Sequence, residues 1–186
     1  KWGRILLESA WRGLMQFRFL HADPNFANFA FLPEGKVIIY DFGCMKEVPQ
    51  FLARGWARLI TAVLDERVPE IPAILKEMGI HKLDGGLVSQ AVIDSYVDFF
   101  QVVLRKSPPY TFGQDGNFYT DLFKIVRANW HETSALKFPQ DVVFVDRTMS
   151  GHFGNLSKLK SCAAWREIVD GYARRCLEQE VPGTEP

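Results

Sequence analysis

The sequence predicts a mainly α-helical domain with one small β-hairpin near its N-terminal end. Roughly six or seven stretches carry apolar residues every three or four positions, which is the period of an amphipathic helix. Only one pair of short apolar runs flanks a turn, and an isolated hairpin of that size is not stable in water. The helices are therefore expected to supply the hydrophobic core.

The first helix is predicted over residues 5–17, where apolar side chains recur at three- and four-residue spacing. It must end before Pro24, because proline disfavours helical backbone at the residue that precedes it. Apolar runs at residues 29–32 and 37–40 then surround a Pro-Glu-Gly-Lys turn, and this arrangement predicts the hairpin.

The remaining elements are predicted to be helices separated by proline, glycine and polar turns. Their predicted ranges are 51–64, 71–78, 87–104, 118–130, 138–149 and 163–177. The inward face of the helix over 87–104 is expected to comprise Val88, Ala91, Val92, Ser95, Phe99 and Val102. Gly151 and Gly154 are expected to interrupt the chain after residue 149, because glycine weakens a helix interior. The five tryptophans are expected in the helical core.

Length and composition limit the classes of protein. The chain has 186 residues, with 22 Lys and Arg against 22 Asp and Glu, which favours one domain over residues 1–177 and a frayed tail over 178–186. Zero net charge argues against a nucleic-acid partner, because no basic excess exists to displace phosphate counterions. No apolar run approaches the roughly 18 residues that span a bilayer, and no leader pattern opens the sequence. We expect a location on the cytoplasmic or organelle-matrix side, with membrane association left open.

Three oxygen-bearing side chains are expected to converge on one small region. Asp23 and Asn28 lie in the loop after the first helix, and Asp41 ends the second strand of the hairpin. Carboxylate and amide oxygens suit Mg²⁺, so Asn28 and Asp41 would bind the metal. Asp23 would accept a proton from a hydroxyl or orient a water, as phosphoryl transfer requires. Gly43 would let the chain turn sharply behind Asp41.

Each of these residues, taken alone, is more simply explained as a turn former, because Asp and Asn side chains bond to their own backbone in loops. The joint pattern is far more specific. The motif H-x-D-x-x-x-x-N, an apolar hairpin and the motif D-F-G follow one another in the order and spacing of the protein-kinase catalytic elements. The pattern therefore predicts a phosphoryl-transfer site.

The segment FLHADPNFAN at residues 19–28, with DFG at residues 41–43, resembles the UbiB/AarF family of atypical kinases, which are linked to ubiquinone and other prenyl-lipid metabolism. Pro24 after the aspartate distinguishes this family from ordinary protein kinases. It also argues against the aminoglycoside-phosphotransferase type, which is a weaker alternative. The segment FPQD at residues 138–141 resembles the family's late helical part, so the resemblance extends over nearly the whole chain.

The resemblance implies a protein-kinase-like C-terminal lobe that uses Mg²⁺ and ATP. Asp23 would be the catalytic aspartate, and Asn28 and Asp41 would be the magnesium ligands. The residues implied at the ATP site are Asn25, Asn28, Asp41 and Gly43.

The sequence departs from the family in the catalytic loop, where Asn25-Phe26-Ala27 replaces the usual His-Pro-Gly and Asn25 occupies the place of a phosphate-contacting lysine. Only 22 residues precede Asp23, so we expect that the N-terminal kinase lobe is missing from this sequence. Two functions stay open. One is the C-terminal lobe of an ATP-dependent kinase or ATPase, and the other is a non-catalytic pseudokinase-like module that binds a prenyl lipid, a membrane surface or a partner.

Overall fold

A computed structural model describes residues 1–104, 109–116 and 118–179, and these residues form eight α-helices and four short β-ladders. The prediction of a mainly helical fold with a small hairpin is confirmed. The helices are α1 (Trp2–Trp11), α2 (Gln50–Leu64), α3 (Ile71–Glu77), α4 (Gln90–Leu104), α5 (Phe118–Ala128), α6 (Trp130–Thr133), α7 (Gln140–Lys158) and α8 (Trp165–Glu178). A π-helical turn over Arg12–Phe17 extends α1, and Arg18 ends it with a positive φ of 54°.

The strands form four antiparallel pairs. They are β1 (Phe19–His21) with β4 (Met45–Glu47), β2 (Phe29–Phe31) with β3 (Val37–Ile39), β5 (His81–Lys82) with β7 (Leu136–Lys137), and β6 (Tyr110–Thr111) with β8 (Cys162–Ala163). The β2–β3 pair is the predicted hairpin, and Gly35 turns it with a φ of 79°, a backbone conformation that glycine adopts without strain. The other three ladders, each two or three residues long, were not predicted.

One continuous cluster of buried side chains, to which α2 and α8 contribute heavily, forms the core. Trp165 of α8 is fully enclosed, and its indole N–H donates a 2.7 Å hydrogen bond to the Tyr110 carbonyl of β6. Phe112 packs edge-on against Trp165 and stacks on Phe153 of α7. Burial of these rings ties the last two helices to the short ladder between β6 and β8.

Arg54 on α2 closes the C-terminal end of α8. Its guanidinium donates hydrogen bonds to the carbonyls of Cys176 at 3.2 Å, Leu177 at 3.3 Å and Gln179 at 3.0 Å. The first two carbonyls belong to the last turn of α8 and the third to its C-cap residue, where no further helical N–H is present to bond them. A cation at that end also meets the negative pole of the helix dipole, so Arg54 joins two core helices through backbone groups.

Two sequence predictions about helix interiors are wrong. Helix α7 runs unbroken through Gly151 and Gly154, because its packing outweighs the roughly 1 kcal/mol helix cost of each glycine. Ala91 in α4 is exposed, while Ile93 and Val97 join Val88 and Val92 in the core. The predicted inward position of the Val102 side chain lies outside the described residues, as does the tail beyond residue 179.

The tryptophans divide between core and surface. Trp11 and Trp165 are buried and Trp2 and Trp56 are half-buried, whereas Trp130 on α6 is 64% exposed, against the prediction that all five lie in the core. Among the described helices, none combines the length and apolar character that crossing a bilayer requires.

Replacing Arg54 with Met is expected to lower the free energy of unfolding by about 1–3 kcal/mol, because the three terminal carbonyls of α8 lose charged donors while the aliphatic stem is kept. The measurement is urea unfolding followed by far-ultraviolet circular dichroism.

Arg4→Met serves as the matched control, since Arg4 is exposed and donates a hydrogen bond to Glu8 one turn away in the same helix. That change is expected to alter stability by less than about 0.5 kcal/mol. An equal effect of the two changes would contradict the role given to Arg54.

Candidate functional site

The loop between β1 and β2 holds Asp23 in a set of local hydrogen bonds. One carboxylate oxygen of Asp23 accepts the backbone N–H of Asn25 at 3.3 Å. The side-chain oxygen of Asn25 in turn accepts the N–H of Ala27 at 3.1 Å, which starts a 3₁₀ turn over Phe26–Asn28. These bonds give the loop its shape without help from regular secondary structure.

Asn28 is bound directly to Asp23. Its amide nitrogen donates to the other carboxylate oxygen of Asp23 at 2.8 Å and to the Asp23 carbonyl at 3.4 Å. An amide has two donor hydrogens on nitrogen and its acceptor sites on oxygen. Because the nitrogen serves Asp23, the oxygen of the Asn28 side chain is the atom left to bind a cation.

The hairpin brings Asp41 to this loop. Phe29 opposes Ile39 in the ladder, and the backbone N–H of Tyr40 donates to the carbonyl of Asn28 at 2.8 Å. Asp41 follows Tyr40 directly, so the end of β3 lies beside the start of β2. The predicted convergence of the three side chains on one region therefore holds at the level of the backbone.

Asp41 has a left-handed backbone conformation, with φ 54° and ψ 85°. Aspartate tolerates this region better than most residues, and such conformations concentrate at functional sites. One carboxylate oxygen accepts the N–H of Gly43 at 3.0 Å, so Gly43 contributes its backbone amide to the turn. The second oxygen makes no hydrogen bond within the described residues and is open to a ligand.

These donors fit Mg²⁺ by their chemistry. The open oxygens are hard ligands, and they come from Asn28, which is half-buried, and from Asp41, which is exposed. Within residues 1–104, 109–116 and 118–179, no group of three or more His, Cys, Asp or Glu side chains could hold a metal. Metal binding by Asn28 and Asp41, with Asp23 beside them as the catalytic residue, stays a prediction of the sequence.

His21, the last residue of β1, contacts the segment that carries Asp41. Its Nε2 lies 3.0 Å from the carbonyl oxygen of Asp41, and since a carbonyl can only accept, Nε2 carries the proton. The ring also meets Phe42 edge-on at 5.8 Å between centroids. His21 therefore contacts the backbone of Asp41, and no hydrogen bond joins it to the Asp23 carboxylate.

Helix α7 forms the wall behind the loop, and sequence analysis missed this contribution. Asn155, 3% exposed, donates from its side-chain nitrogen to the carbonyl of Pro24 at 2.7 Å. A Cβ atom at Gly151 would overlap the ring of Pro24, so glycine at 151 is what lets the loop approach the helix. Motif spacing gave no signal for these residues, because they lie more than 120 positions after the loop.

His152 lies beside these residues on α7 and is 2% exposed. Its ring is 6.0 Å from that of Phe29, the residue after Asn28. Burial, reinforced by the nearby His21, lowers the pKa of His152 from 6.5 to about 4. The imidazole is thus neutral at physiological pH, and its Nδ1 has no hydrogen-bond partner among the described residues.

Known proteins resemble this chain in sequence and in fold. Residues 3–74, which include Asp23, Asn28 and Asp41, match the family described as ABC1 atypical kinase-like domain. A curated relative is the mitochondrial atypical kinase COQ8B of Danio rerio, 24% identical over 182 residues that cover 94% of this chain. The chain spans 28% of the length of that relative.

A solved structure with a similar fold is the complex of Rv3197 with erythromycin from Mycobacterium tuberculosis. The TM-score is 0.66 at 18% identity, and the match covers 92% of this chain and 43% of that one. At this identity the likeness concerns the fold alone. It extends well beyond residues 3–74 and includes the late helices.

Replacing Gly151 with Ala is expected to lower the free energy of unfolding by about 1–3 kcal/mol, because the new methyl group overpacks against Pro24. In Gly171→Ala the methyl would meet only the end of the Arg175 side chain, 3.3 Å away, so about 0.5–1 kcal/mol of added helix stability is expected. Urea unfolding of the two variants measures the contrast. Stabilisation by both changes would show that the loop does not press on α7.

The stability of the chain is expected to fall as pH drops below about 6.5, because the folded state resists protonation of His152 while the unfolded chain accepts it. The loss continues until the pH approaches 4. Between pH 7.5 and pH 5 it amounts to about 2 kcal/mol.

Urea titrations at both pH values should show that His152→Leu removes this part of the pH dependence. His131→Gln, a change at an exposed histidine, should retain it. An unchanged pH dependence in His152→Leu would refute the assignment.

Proposed function

We propose that this chain is a member of the UbiB/AarF family, to which the ABC1 match over residues 3–74 points, and that it forms the C-terminal lobe of an Mg²⁺- and ATP-dependent kinase or ATPase. In this proposal Asp23 is the catalytic residue, and Asn28 and Asp41 hold the metal. Asn25 and Gly43 complete the nucleotide side of the site. A lobe that carries the nucleotide-covering loop would close over it.

The observation that carries the proposal is the orientation of Asn28. Its amide nitrogen is bound to Asp23 at 2.8 Å, which leaves the amide oxygen for a metal. Asp41 binds its own turn with one oxygen and keeps the other open. A metal bound there would neutralise phosphate charge and hold the phosphates in place.

Asp23 is suited to accept a proton from an attacking hydroxyl or water. Its two carboxylate oxygens are oriented by Asn25 and Asn28, so the group is held in one geometry before a substrate arrives. Asn25 uses its side-chain oxygen within the loop, while its amide nitrogen has no partner among the described residues. That nitrogen can donate to a phosphate oxygen, as a neutral replacement for the lysine of protein kinases.

The metabolic role and the cellular location follow from the family and are part of the proposal. We propose action in ubiquinone or other prenyl-lipid metabolism, on the cytoplasmic or organelle-matrix side and with a prenyl lipid or membrane surface nearby. The curated relative from Danio rerio is named as mitochondrial. ATP is the small-molecule partner that the site residues favour.

A non-catalytic pseudokinase-like module is the second candidate, and the Asn25-Phe26-Ala27 segment favours it. Without a lysine the loop offers less positive charge to a transferred phosphate. Lipid or partner binding that is unaffected by Mg²⁺ and by changes at Asp41 would support this second function.

Asp41→Asn is expected to weaken Mg²⁺-dependent ATP binding by about tenfold or more, because a metal ligand loses its charge. Asparagine still tolerates positive φ and can accept the Gly43 N–H, so the fold is kept. Calorimetric titration of ATP with and without Mg²⁺, together with ATP turnover by the full-length protein, measures the effect.

Asp84→Asn is a close structural control. Asp84 is exposed and accepts the N–H of Gly86 at 2.8 Å, the same type of side-chain hydrogen bond as that of Asp41 with Gly43, but it lies in the loop after β5. ATP binding and turnover should be unchanged there. Unaltered turnover in Asp41→Asn would rule out the proposed enzyme.

A further inference from the structure

The catalytic loop is stabilised internally but attached to the rest of the molecule at few points. Its own bonds run from Asn25 to Asp23, from Ala27 to Asn25 and from Asn28 to Asp23. Such bonds set the shape of the loop and leave its position free. What places the Asp23 carboxylate in the site must therefore be bonds that leave the loop.

Two such bonds flank Asp23 directly. On one side the N–H of Ala22 donates to the carbonyl of Cys44 at 2.8 Å, which ties the loop to the segment after Asp41. On the other side the carbonyl of Pro24 accepts from Asn155 at 2.7 Å. The first bond belongs to the backbone and the second depends on one side chain.

The face of α7 that meets the loop consists of Gly151, Asn155 and Lys158, which recur at four- and three-residue spacing along one side of the helix. Gly151 lies against the Pro24 ring, and the Lys158 ammonium lies 5.4 Å from the centre of the Phe26 ring. Asn155 lies between them on the helix, and only 3% of its surface is exposed. A polar side chain so deeply buried needs its partner, because an unpaired amide there is costly.

We infer that Asn155 is a positioning residue that fixes Asp23 relative to the metal-binding side chains. The inference rests on the proposed function for its catalytic consequence, although the loop contact itself does not. Proline has no N–H, so the Pro24 carbonyl is the only backbone hydrogen-bonding group at that residue. Asn155 donates to that group and thereby fixes the peptide that joins Pro24 to Asn25, one residue after Asp23.

The test replaces Asn155 with Leu, which keeps the approximate volume and removes the donor. Hydrogen exchange on the 186-residue chain should show about tenfold faster exchange at the amides of residues 25–28, while β5 and β7 stay unchanged. In the full-length protein, kcat for ATP turnover should fall about 10- to 100-fold while KM for ATP stays within about twofold, because the base moves and the metal-binding side chains remain.

The matched control is Asn129→Leu. Asn129 also donates from a half-buried side-chain amide to a backbone carbonyl, that of Ile125 at 2.9 Å, but it lies at the start of α6. Asn129→Leu should change the free energy of unfolding without selectively speeding hydrogen exchange at residues 25–28. If Asn155→Leu does not fold, Asn155→Ser deletes the amide with a smaller polar side chain and carries the same expectations.

The outcomes separate this inference from the proposed function. Unchanged hydrogen exchange at residues 25–28 in Asn155→Leu overturns the positioning role. A loss of kcat no larger than that of an equally destabilised Asn129→Leu control overturns it as well. In a further outcome, Asn155→Leu speeds hydrogen exchange selectively at residues 25–28 while the wild-type protein turns over no ATP. This combination would support Asn155 as the residue that holds the loop. That result would reject the kinase or ATPase proposal.

Discussion

The register of the β2–β3 hairpin is the constraint on which the candidate site depends. Antiparallel pairing puts Ile39 opposite Phe29, and the next bond, from the Tyr40 N–H to the Asn28 carbonyl, brings Asp41 to the start of β2. A shift of one residue would exchange the faces of every side chain in the strand. Phe29 holds the register because it is 7% exposed and packs against His152 of α7.

The hairpin and the late helix therefore act as one unit, although the Asn155–Pro24 bond joins positions 131 residues apart. Helix α7 meets the loop through Gly151 and Asn155, and it meets the hairpin through His152. Neutral His152 can be buried without a charge, which allows this contact to be close. The site residues 23–41 alone would lack the wall that supports them, so the helices are part of the site's architecture.

The motif and the hairpin were predictable because both follow from short-range patterns. Residue types at fixed spacing single out Asp23, Asn28 and Asp41, and two short apolar runs around a Pro-Glu-Gly-Lys turn indicate the strands. The predicted helix interruption at Gly151 is wrong because the low helix propensity of glycine is a local property, whereas Gly151 also makes a long-range contact with Pro24. Glycine costs the helix roughly 1 kcal/mol, which is less than the energetic cost of the overpacking that any side chain at 151 would cause against Pro24.

The sequence by itself determined the helical class, the hairpin and the identity of the three oxygen-bearing side chains. Only the tertiary structure decided which atoms of those side chains remain open, since the Asn28 amide is oriented by Asp23 and the Asp41 carboxylate by Gly43. It also decided that Asn155 anchors Pro24. The physical reason is that propensity and spacing describe neighbours along the chain, whereas a buried donor and its carbonyl are matched only when distant elements pack together.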